Sequence, residues 1–290
     1  MHGETGHDLS VLIDAHVHLH DCFSPATFLE SARRNFESAA EQHGWPTPIG
    51  VLMLTESENA DWFGRLTRLA DGSAKASPLG PWTITTTDDP NALDVRHGSR
   101  RLFIVAGRQV VAREGLEVLT LGSRAMIPDG GSLTDIMAEA RGNGALRVIP
   151  WGAGKWLFGR GRLLSGILAT QSSNDGFFLG DGAGRPFFWS TPNHFAEGER
   201  RGIRVLPGTD PLPFPSQESR AGSFGFRLEG PVDLTRPAEG ITTALRNPAS
   251  RLAPFGRLER LLPFLRNQVA MQQRKRLRTT APQPAPSSTR

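Results

Sequence analysis

The sequence predicts an α/β fold, and two observations carry this prediction. Short apolar segments alternate with segments of helical character over residues 11–210, which is typical of a mostly parallel sheet, open or closed into a barrel. Between residues 101 and 122, two apolar segments are instead separated by the sequence REG, which indicates a β-hairpin within this succession. Active sites of such folds lie at the carboxyl ends of the strands, so the candidate functional residues are those that follow the strands.

The individual elements follow from local signals. Residues 11–14 and 49–57 are short apolar segments bounded by polar residues or proline, which predicts buried strands. Ser24, with a proline directly after it, predicts the start of a helix that Gly44 ends, and Ser132 predicts the start of another helix. Further helices are predicted at residues 62–70 and 162–170, and further strands at residues 145–151, 176–181 and 204–210.

The composition favours a cytoplasmic globular protein. Of the 290 residues, 38% are hydrophobic, which is enough for a sizeable core. The single cysteine, Cys22, excludes an internal disulfide and a multi-cysteine zinc site, and it favours a reducing compartment. The first ten residues are polar and lack the apolar segment of a signal peptide, and no apolar segment approaches the length of a membrane-spanning helix. We therefore predict a cytoplasmic protein.

The positive net charge is concentrated at the carboxyl end. Residues 272–290 contain five basic residues and no acidic ones, so the net charge of +4 leaves residues 1–271 at −1. This nearly neutral body does not predict a nucleic-acid-binding face. The basic tail is a candidate contact for an acidic partner, although a solvated tail behind a packed helix is the simpler interpretation. The last residues, rich in Pro, Ser and Thr, predict disorder.

Three of the eight histidines follow the first predicted strand, in the sequence DAHVHLH. Side chains two residues apart point to the same side of a strand, so His16 and His18 can bind one ion. Imidazole suits Zn, Mn or Fe, and Asp210, after a late strand, can complete a three-ligand site with an open position for water. A divalent ion lowers the pKa of such a water to about 7. Alternatively, Asp210 acts as a general base for this water. A separate alternative is that the histidines bind no metal and are hydrogen-bonded core residues of a degenerate barrel.

Four more charged residues follow predicted strands. Glu56 and Asp181 are candidate metal ligands, although Asp181 also fits a simple Asp-Gly turn. Lys155 lies in a glycine-rich loop and Arg185 follows Asp181, so both are candidates to stabilise an anion that develops in the reaction. The alternative for Lys155 is a solvated loop whose tryptophans pack on the body.

Five segments, in order, resemble the motifs of the PHP (polymerase and histidinol phosphatase) family of metal-dependent phosphoesterases. The resemblance covers about residues 11–215 and is carried by the segments IDAHVHLHDCFSP, GVLMLTESEN, LFIVAGRQVVAREGLEVLTLG, GGSLTDIMAEARGNGALRVIPWGAG and RVLPGTDPL. Metal hydrolases of the amidohydrolase type have a similar skeleton. The resemblance implies a PHP-like distorted (β/α)7 TIM-type barrel over residues 1–240, followed by a helical extension over residues 241–278 and a disordered tail over residues 279–290.

The sequence departs from the PHP pattern at four ligand positions. Glu56 stands where the family has Asp, Gln109 where it has Glu, and Trp151 and Leu212 where it has His. The resemblance implies a metal-dependent hydrolase, of phosphoesterase or amidohydrolase type, that acts on a small anionic substrate with a divalent ion. The replaced positions favour an alternative, a catalytically reduced barrel that binds a ligand or a partner.

Overall fold

The computed structural model describes residues 10–74, 79–259 and 261–280. Predictions made for residues 1–9 and 281–290, which include most of the tail predicted to be disordered, lie outside these residues. The strands are β1 (Ser10–Val17), β2 (Pro48–Leu54), β3 (Thr83–Thr86), β4 (Ala92–His97), β5 (Arg100–Val105), β6 (Gly107–Val111), β7 (Glu117–Leu121), β8 (Leu146–Pro150), β9 (Phe177–Gly182), β10 (Val205–Gly208), β11 (Phe224–Glu229) and β12 (Arg251–Gly256). The helices are α1 (Pro25–His43), α2 (Trp62–Ala70), α3 (Leu133–Gly142), α4 (Phe158–Leu168), α5 (Asn193–Arg200), α6 (Pro237–Arg246) and α7 (Leu261–Thr280).

The strands form two sheets rather than one. Seven strands pair in the order β12-β11-β1-β2-β5-β4-β3, with β1, β2 and β5 parallel to one another. The other five pair in the order β10-β9-β8-β7-β6, in which β8, β9 and β10 are parallel. The predicted α/β fold with a central hairpin is thus present, since β6 and β7 pair antiparallel across the REG turn. The predicted closed barrel is not confirmed.

The two sheets meet at the ends of their strands. The backbone N–H of Asp210, after β10, donates to the carbonyl oxygen of His16 in β1 at 2.8 Å. On the other side, Glu56 after β2 forms backbone hydrogen bonds with Gly107 at 3.1 Å and Gln109 at 2.9 Å in β6. These contacts bring the carboxyl ends of β1, β2 and β10 together with β6, and the candidate site lies there.

Local signals explain the first helix. The Ser24 side chain accepts a hydrogen bond from the backbone N–H of Thr27, and Gly44 ends the helix with the left-handed φ of 65°. The apolar face of α1 buries Phe28 and Phe36 against the larger sheet. The predicted start and end of this helix are therefore confirmed, as is the capping of α3 by Ser132.

The carboxyl-terminal third differs from the prediction of a separate helical extension. The predicted boundary at residue 240 falls inside α6, and β12, within the predicted extension, pairs antiparallel with β11 of the larger sheet. Pro254 in β12 is tolerated because β12 is an edge strand, where one side needs no N–H donors. The last helix, α7, reaches Thr280, two residues into the predicted tail. Among the described residues, no helix is long and apolar enough to span a membrane.

Candidate metal centre

Two imidazoles converge at the end of the buried strand β1. His16 lies within β1, and His18 comes directly after the last residue of β1. The Nε2 atoms of the two histidines are 3.2 Å apart. His16 is 6% exposed, so its ring is held within the protein. His20 stacks on His18, with ring centroids 5.5 Å apart, and its Nε2–H donates to the carbonyl oxygen of Pro211 at 2.9 Å. The Nε2 atoms of His16 and His18 therefore lie together, and the binding of one ion by both residues stays a prediction.

Asp210 completes a group of three. Its Oδ1 lies 3.5 Å from Nε2 of His16 and 3.5 Å from Nε2 of His18. Asp210 has a positive φ of 46°, a left-handed conformation that Asp adopts more readily than most residues. Gly208 lets β10 approach β1 this closely, since a Cβ at this position would overlap the backbone nitrogen of His16.

The buried carboxylate of Asp14 stabilises the close approach of β10 to β1. Asp14, in β1, accepts hydrogen bonds from the backbone N–H of Thr209 at 2.8 Å, from its hydroxyl at 2.6 Å and from the backbone N–H of Gly222 at 2.9 Å. Burial raises the pKa of Asp14 to about 6, although these donors oppose the shift. The Asp14 contacts therefore hold the residue before Asp210 against β1.

The spacing of the three ligand atoms fits a metal ion. These atoms of His16, His18 and Asp210 all lie within 4.8 Å of one another. A tetrahedral ion with ligands at about 2.0–2.1 Å places them about 3.4 Å apart, close to the observed separations. Two imidazoles and one carboxylate also match the ligand set of Zn, Mn or Fe sites that leave a position open. The residues present therefore fit a divalent ion.

The electrostatics of the group favour the ligating protonation states. Burial lowers the pKa of His18 to about 3, helped by the neighbouring His16, so the imidazole is neutral at physiological pH. For Asp210, burial raises the pKa, but electrostatic interactions with His16, His18, Lys155 and Arg220 outweigh it and leave the pKa below its ordinary value. Neutral imidazoles and an ionised carboxylate are the forms that bind metals.

Two neutral side chains border the group. The Oε1 of Gln109 lies 3.3 Å from Nε2 of His16, and the hydroxyl oxygen of Thr55 lies 3.5 Å from Nε2 of His18. Gln109, which stands where the PHP pattern has Glu, thus keeps its place beside the ligands with a neutral amide. An amide oxygen is a weaker metal ligand than a carboxylate because it carries no charge.

The other two predicted ligands have different partners. The Oε1 of Glu56 accepts hydrogen bonds from the backbone N–H groups of Trp62 and Phe63 at the start of α2. Burial raises the pKa of Glu56, and these N–H donors oppose the shift. Asp181 accepts two hydrogen bonds from Arg185, at 2.8 Å and 2.7 Å. Metal ligation by Glu56 and Asp181 stays a prediction, and neither belongs to the group of three.

Lys155 and Arg185, the predicted anion contacts, are each paired with a carboxylate. The Nζ of Lys155 contacts Oε1 of Glu117, and the buried Arg185 forms the two-bond pair with Asp181. Arg185 lines an open cleft beside Asp210, which we call the Asp210 cleft. Trp151, Leu212, Gln217, Arg220 and Glu259 are among its other lining residues.

Sequence reasoning missed two residues of the Asp210 cleft. Arg220 pairs with Glu259 and lowers the pKa of Asp210, and Gln217 is 4% exposed with its Oε1 unpartnered among the described residues. Both follow the last predicted strand in a proline-rich segment that carries no recognisable motif. No sequence signal marks them, since only the return of the chain past β1 brings them to the cleft.

Comparisons with known proteins give structural neighbours at low sequence identity. No family model matches the sequence, and no curated protein matches it. The fold is similar to that of PsfC from Pseudomonas syringae PB-5123, with a TM-score of 0.53 and 15% identity over 92% of this chain and 98% of that chain. It is also similar to the lesion-specific endonuclease PfuEndoQ from Pyrococcus furiosus, with a TM-score of 0.51 and 13% identity over 84% of this chain and 57% of that chain. A complex of Endonuclease Q with a duplex substrate gives a TM-score of 0.43.

These similarities concern the fold. The chain has a mixed α/β architecture of two sheets, and its neighbours are consistent with the PHP-like fold that the sequence motifs indicated. At 13–15% identity, the neighbours do not transfer an activity to this chain. What the site does must therefore be argued from its own residues.

Proposed function

We propose that this protein is a divalent-metal-dependent hydrolase of the phosphoesterase type. The observation that carries the proposal is the convergence of His16, His18 and Asp210 at the strand ends, at separations that fit one ion. The PHP-like fold supports it, and the phosphoester class agrees with the endonuclease activity named for the neighbour PfuEndoQ. The distorted PHP-like barrel stays part of the proposal. Its strands would be the ones that pair in two separate sheets in the structure.

Each residue has a role that follows from its surroundings. His16 and His18 would hold the ion through Nε2. Asp210 would hold it through Oδ1 or would, alternatively, act as the base that accepts a proton from water. A bound divalent ion supplies Lewis acidity and a water of lowered pKa. Arg185 lines the cleft beside Asp210 and would bind an oxygen of the substrate phosphate. Lys155 adds positive charge near Asp210, although Glu117 neutralises part of it.

The paired cations shape the substrate preference. Since Arg185 and Arg220 each bind one carboxylate and Asp210 is a further acidic residue, the side chains at the Asp210 cleft give it no net positive charge. A guanidinium held by a carboxylate keeps a fixed position and retains N–H donors for a second acceptor. The cleft therefore suits one phosphate group better than a polyphosphate chain.

The test is hydrolysis by the full-length protein with added Mn or Zn. Phosphate monoesters, phosphate diesters and amide substrates form the panel, and His16→Ala and His20→Ala serve as matched variants. We expect a phosphoester to be hydrolysed only with metal, an activity that His16→Ala abolishes and His20→Ala retains. Equal activity of wild type and His16→Ala would contradict the proposal.

A second candidate function is ligand or partner binding without turnover. Trp151 and Leu212 stand where the PHP pattern has histidine ligands, and this favours the second function. Among the residues that the structure describes, the candidate metal group then has three members, which are His16, His18 and Asp210. Metal binding without hydrolysis of any substrate class in the panel would support this second function over the first.

A further inference from the structure

A second cleft, walled by tryptophans, adjoins the Asp210 cleft. We call it the aromatic cleft, and it is lined by Trp151, Trp156, Trp189, Leu157 and His194, together with the backbone of the loop before α5. Its three tryptophans are half of the six in the chain. Its volume is about 650 Å³, a figure that includes the open space at its mouth.

Trp151 and Gly152 form the wall that the two clefts share. The backbone N–H of Trp151 donates to the carbonyl oxygen of Gly180 in β9 at 2.8 Å, which fixes the residue directly after β8. The ring of Trp151 meets the ring of Trp189 edge to face, with centroids 5.9 Å apart and planes at 78°. A molecule with one end at Asp210 therefore passes Trp151 to enter the aromatic cleft.

The two clefts differ in chemistry. The Asp210 cleft holds Arg185 and Arg220 beside the candidate ligand group. The described residues that line the aromatic cleft include no Asp, Glu, Lys or Arg, and their polar side chains are neutral or imidazole. Charged and uncharged parts of one ligand would thus separate between the two clefts.

One buried donor in the aromatic cleft has no partner. Trp156 is 5% exposed, and its indole Nε1–H makes no hydrogen bond among the described residues. Its ring is held by edge-to-face contacts with His194 at 5.6 Å and Phe195 at 5.3 Å between centroids. Trp156 is thus a fixed part of the cleft wall, since its Nε1 has almost no accessible surface to offer a ligand.

We propose that the aromatic cleft binds a planar aromatic or heterocyclic ring of the substrate, while the phosphate ester of the same molecule lies in the Asp210 cleft. This inference rests on the proposed function and names its substrate class, a phosphate ester that carries a planar ring. Indole rings bind planar rings by stacking and edge contacts, in a way that tolerates different ring types. Trp151, which stands where the PHP pattern has a metal-binding His, is thereby a ring-binding residue.

The test compares two ligands that differ only in the ring. Adenosine 5′-monophosphate and ribose 5-phosphate share the phosphate and the pentose, and calorimetry measures their binding to the Mn-loaded full-length protein. We expect the nucleotide to bind about tenfold tighter or more, as base stacking on an aromatic side chain provides. Equal affinities, or no binding of either ligand, would overturn the inference.

Variants then locate the ring. Trp151→Leu and Trp189→Leu should each remove most of the preference for the nucleotide, and Trp151→Phe should restore part of it. Trp62→Leu is the matched control, because Trp62 is half-buried in α2 and lines neither of these two clefts. Circular dichroism checks that each variant is folded. A folded Trp151→Leu and a folded Trp189→Leu that both keep the full preference would overturn the inference.

Adenosine alone separates this inference from the proposed function. It carries no phosphate, so its binding to the metal-free protein depends on the aromatic cleft and not on the ligand group. If the protein binds adenosine but no metal, the ring site is supported and the hydrolase proposal is contradicted. If it binds metal but neither adenosine nor the nucleotide, only the ring site is contradicted.

Discussion

At the scale of single residues, the arrangement of acceptors at His16 and His18 is the central feature. The two Nε2 atoms are 3.2 Å apart, and both face Oδ1 of Asp210 at 3.5 Å. When both rings carry their proton on Nδ1, the group presents three acceptors and no donor. A divalent cation would then satisfy all three acceptors at once, which supports the proposed metal centre over a hydrogen-bonded core.

Substitution of His18 and of His20, one at a time, should show which of the two histidines is a metal ligand. We expect His18→Ala to weaken metal binding by at least about 100-fold, since even groups that only support a ligand are worth 10–100-fold. His20→Ala should retain the affinity, because His20 donates to the carbonyl of Pro211. Titration with Mn or Zn under calorimetry measures both. Equal losses in the two variants would contradict the assignment of His18 as a ligand.

At the scale of secondary-structure elements, the site depends on how closely β10 approaches β1. Gly208→Ala should weaken metal binding and lower the free energy of unfolding by about 1–3 kcal/mol, because the added Cβ overlaps the backbone of His16 and forces the strands apart. Gly184→Ala is the matched control in the same cleft, since its Cβ would meet nothing within 4 Å. Denaturant unfolding and metal titration measure the two effects. Metal affinity unchanged in Gly208→Ala would argue against this dependence.

The role of Glu56 is also decided at this scale. Its carboxylate accepts from the first N–H groups of α2, in the way that capping side chains satisfy a helix start. We expect Glu56→Ala to lower the free energy of unfolding by about 1 kcal/mol or more, and Glu56→Gln to lower it less, since an amide oxygen still accepts. Metal affinity should change in neither variant. Loss of metal in Glu56→Gln would instead support the predicted metal ligation by Glu56.

Local signals predicted the elements better than their assembly. The caps at Ser24, Gly44 and Ser132 are explicit in the sequence because each residue type satisfies backbone groups or the left-handed turn by itself. The pairing of β12 with β11 was not predicted, since a short edge strand that contains Pro254 lacks the usual strand pattern. The division into two sheets depends on which strands pair, and apolar periodicity does not encode that choice.

In the candidate site, too, some features were predictable from the sequence and others depend on the assembly of the fold. His16, His18 and Asp210 lie at or just after strand ends, and strand ends converge in α/β folds, so their meeting was predictable. The cap formed by Glu56 and the pair formed by Asp181 with Arg185 depend on where the following helix or loop turns. A carboxylate at a strand end is therefore a ligand candidate in the sequence, and only the fold shows which partner it takes.

At the scale of the whole molecule, the candidate ligands join distant parts of the chain. His16 lies in a strand of the seven-stranded sheet and His18 directly follows that strand, while Asp210 follows the last strand of the five-stranded sheet. An ion held by all three would bind the folded state and not the unfolded chain. At a free metal concentration of 100 times Kd, this stabilises the protein by about 2.7 kcal/mol.

Metal removal should therefore lower the thermal stability of the whole protein. We expect a chelator to decrease the Tm by about 5–10 °C, given the size of the chain, and added Mn or Zn to restore it. Asp210→Asn should show a smaller shift, because it replaces a charged ligand with a neutral one. A Tm that does not change with chelator in the wild type, measured by scanning calorimetry, would show that no metal bridges the sheets.

The metal content of the purified protein tests the central proposal most directly. Wild type and His16→Ala, both prepared without a histidine tag and dialysed against metal-free buffer, are compared by inductively coupled plasma mass spectrometry. We predict about one divalent ion per wild-type chain, as three protein ligands with an open position provide, and almost none in His16→Ala. Less than about 0.2 ion per wild-type chain, unchanged after incubation with Mn or Zn, would contradict a metal centre at His16, His18 and Asp210.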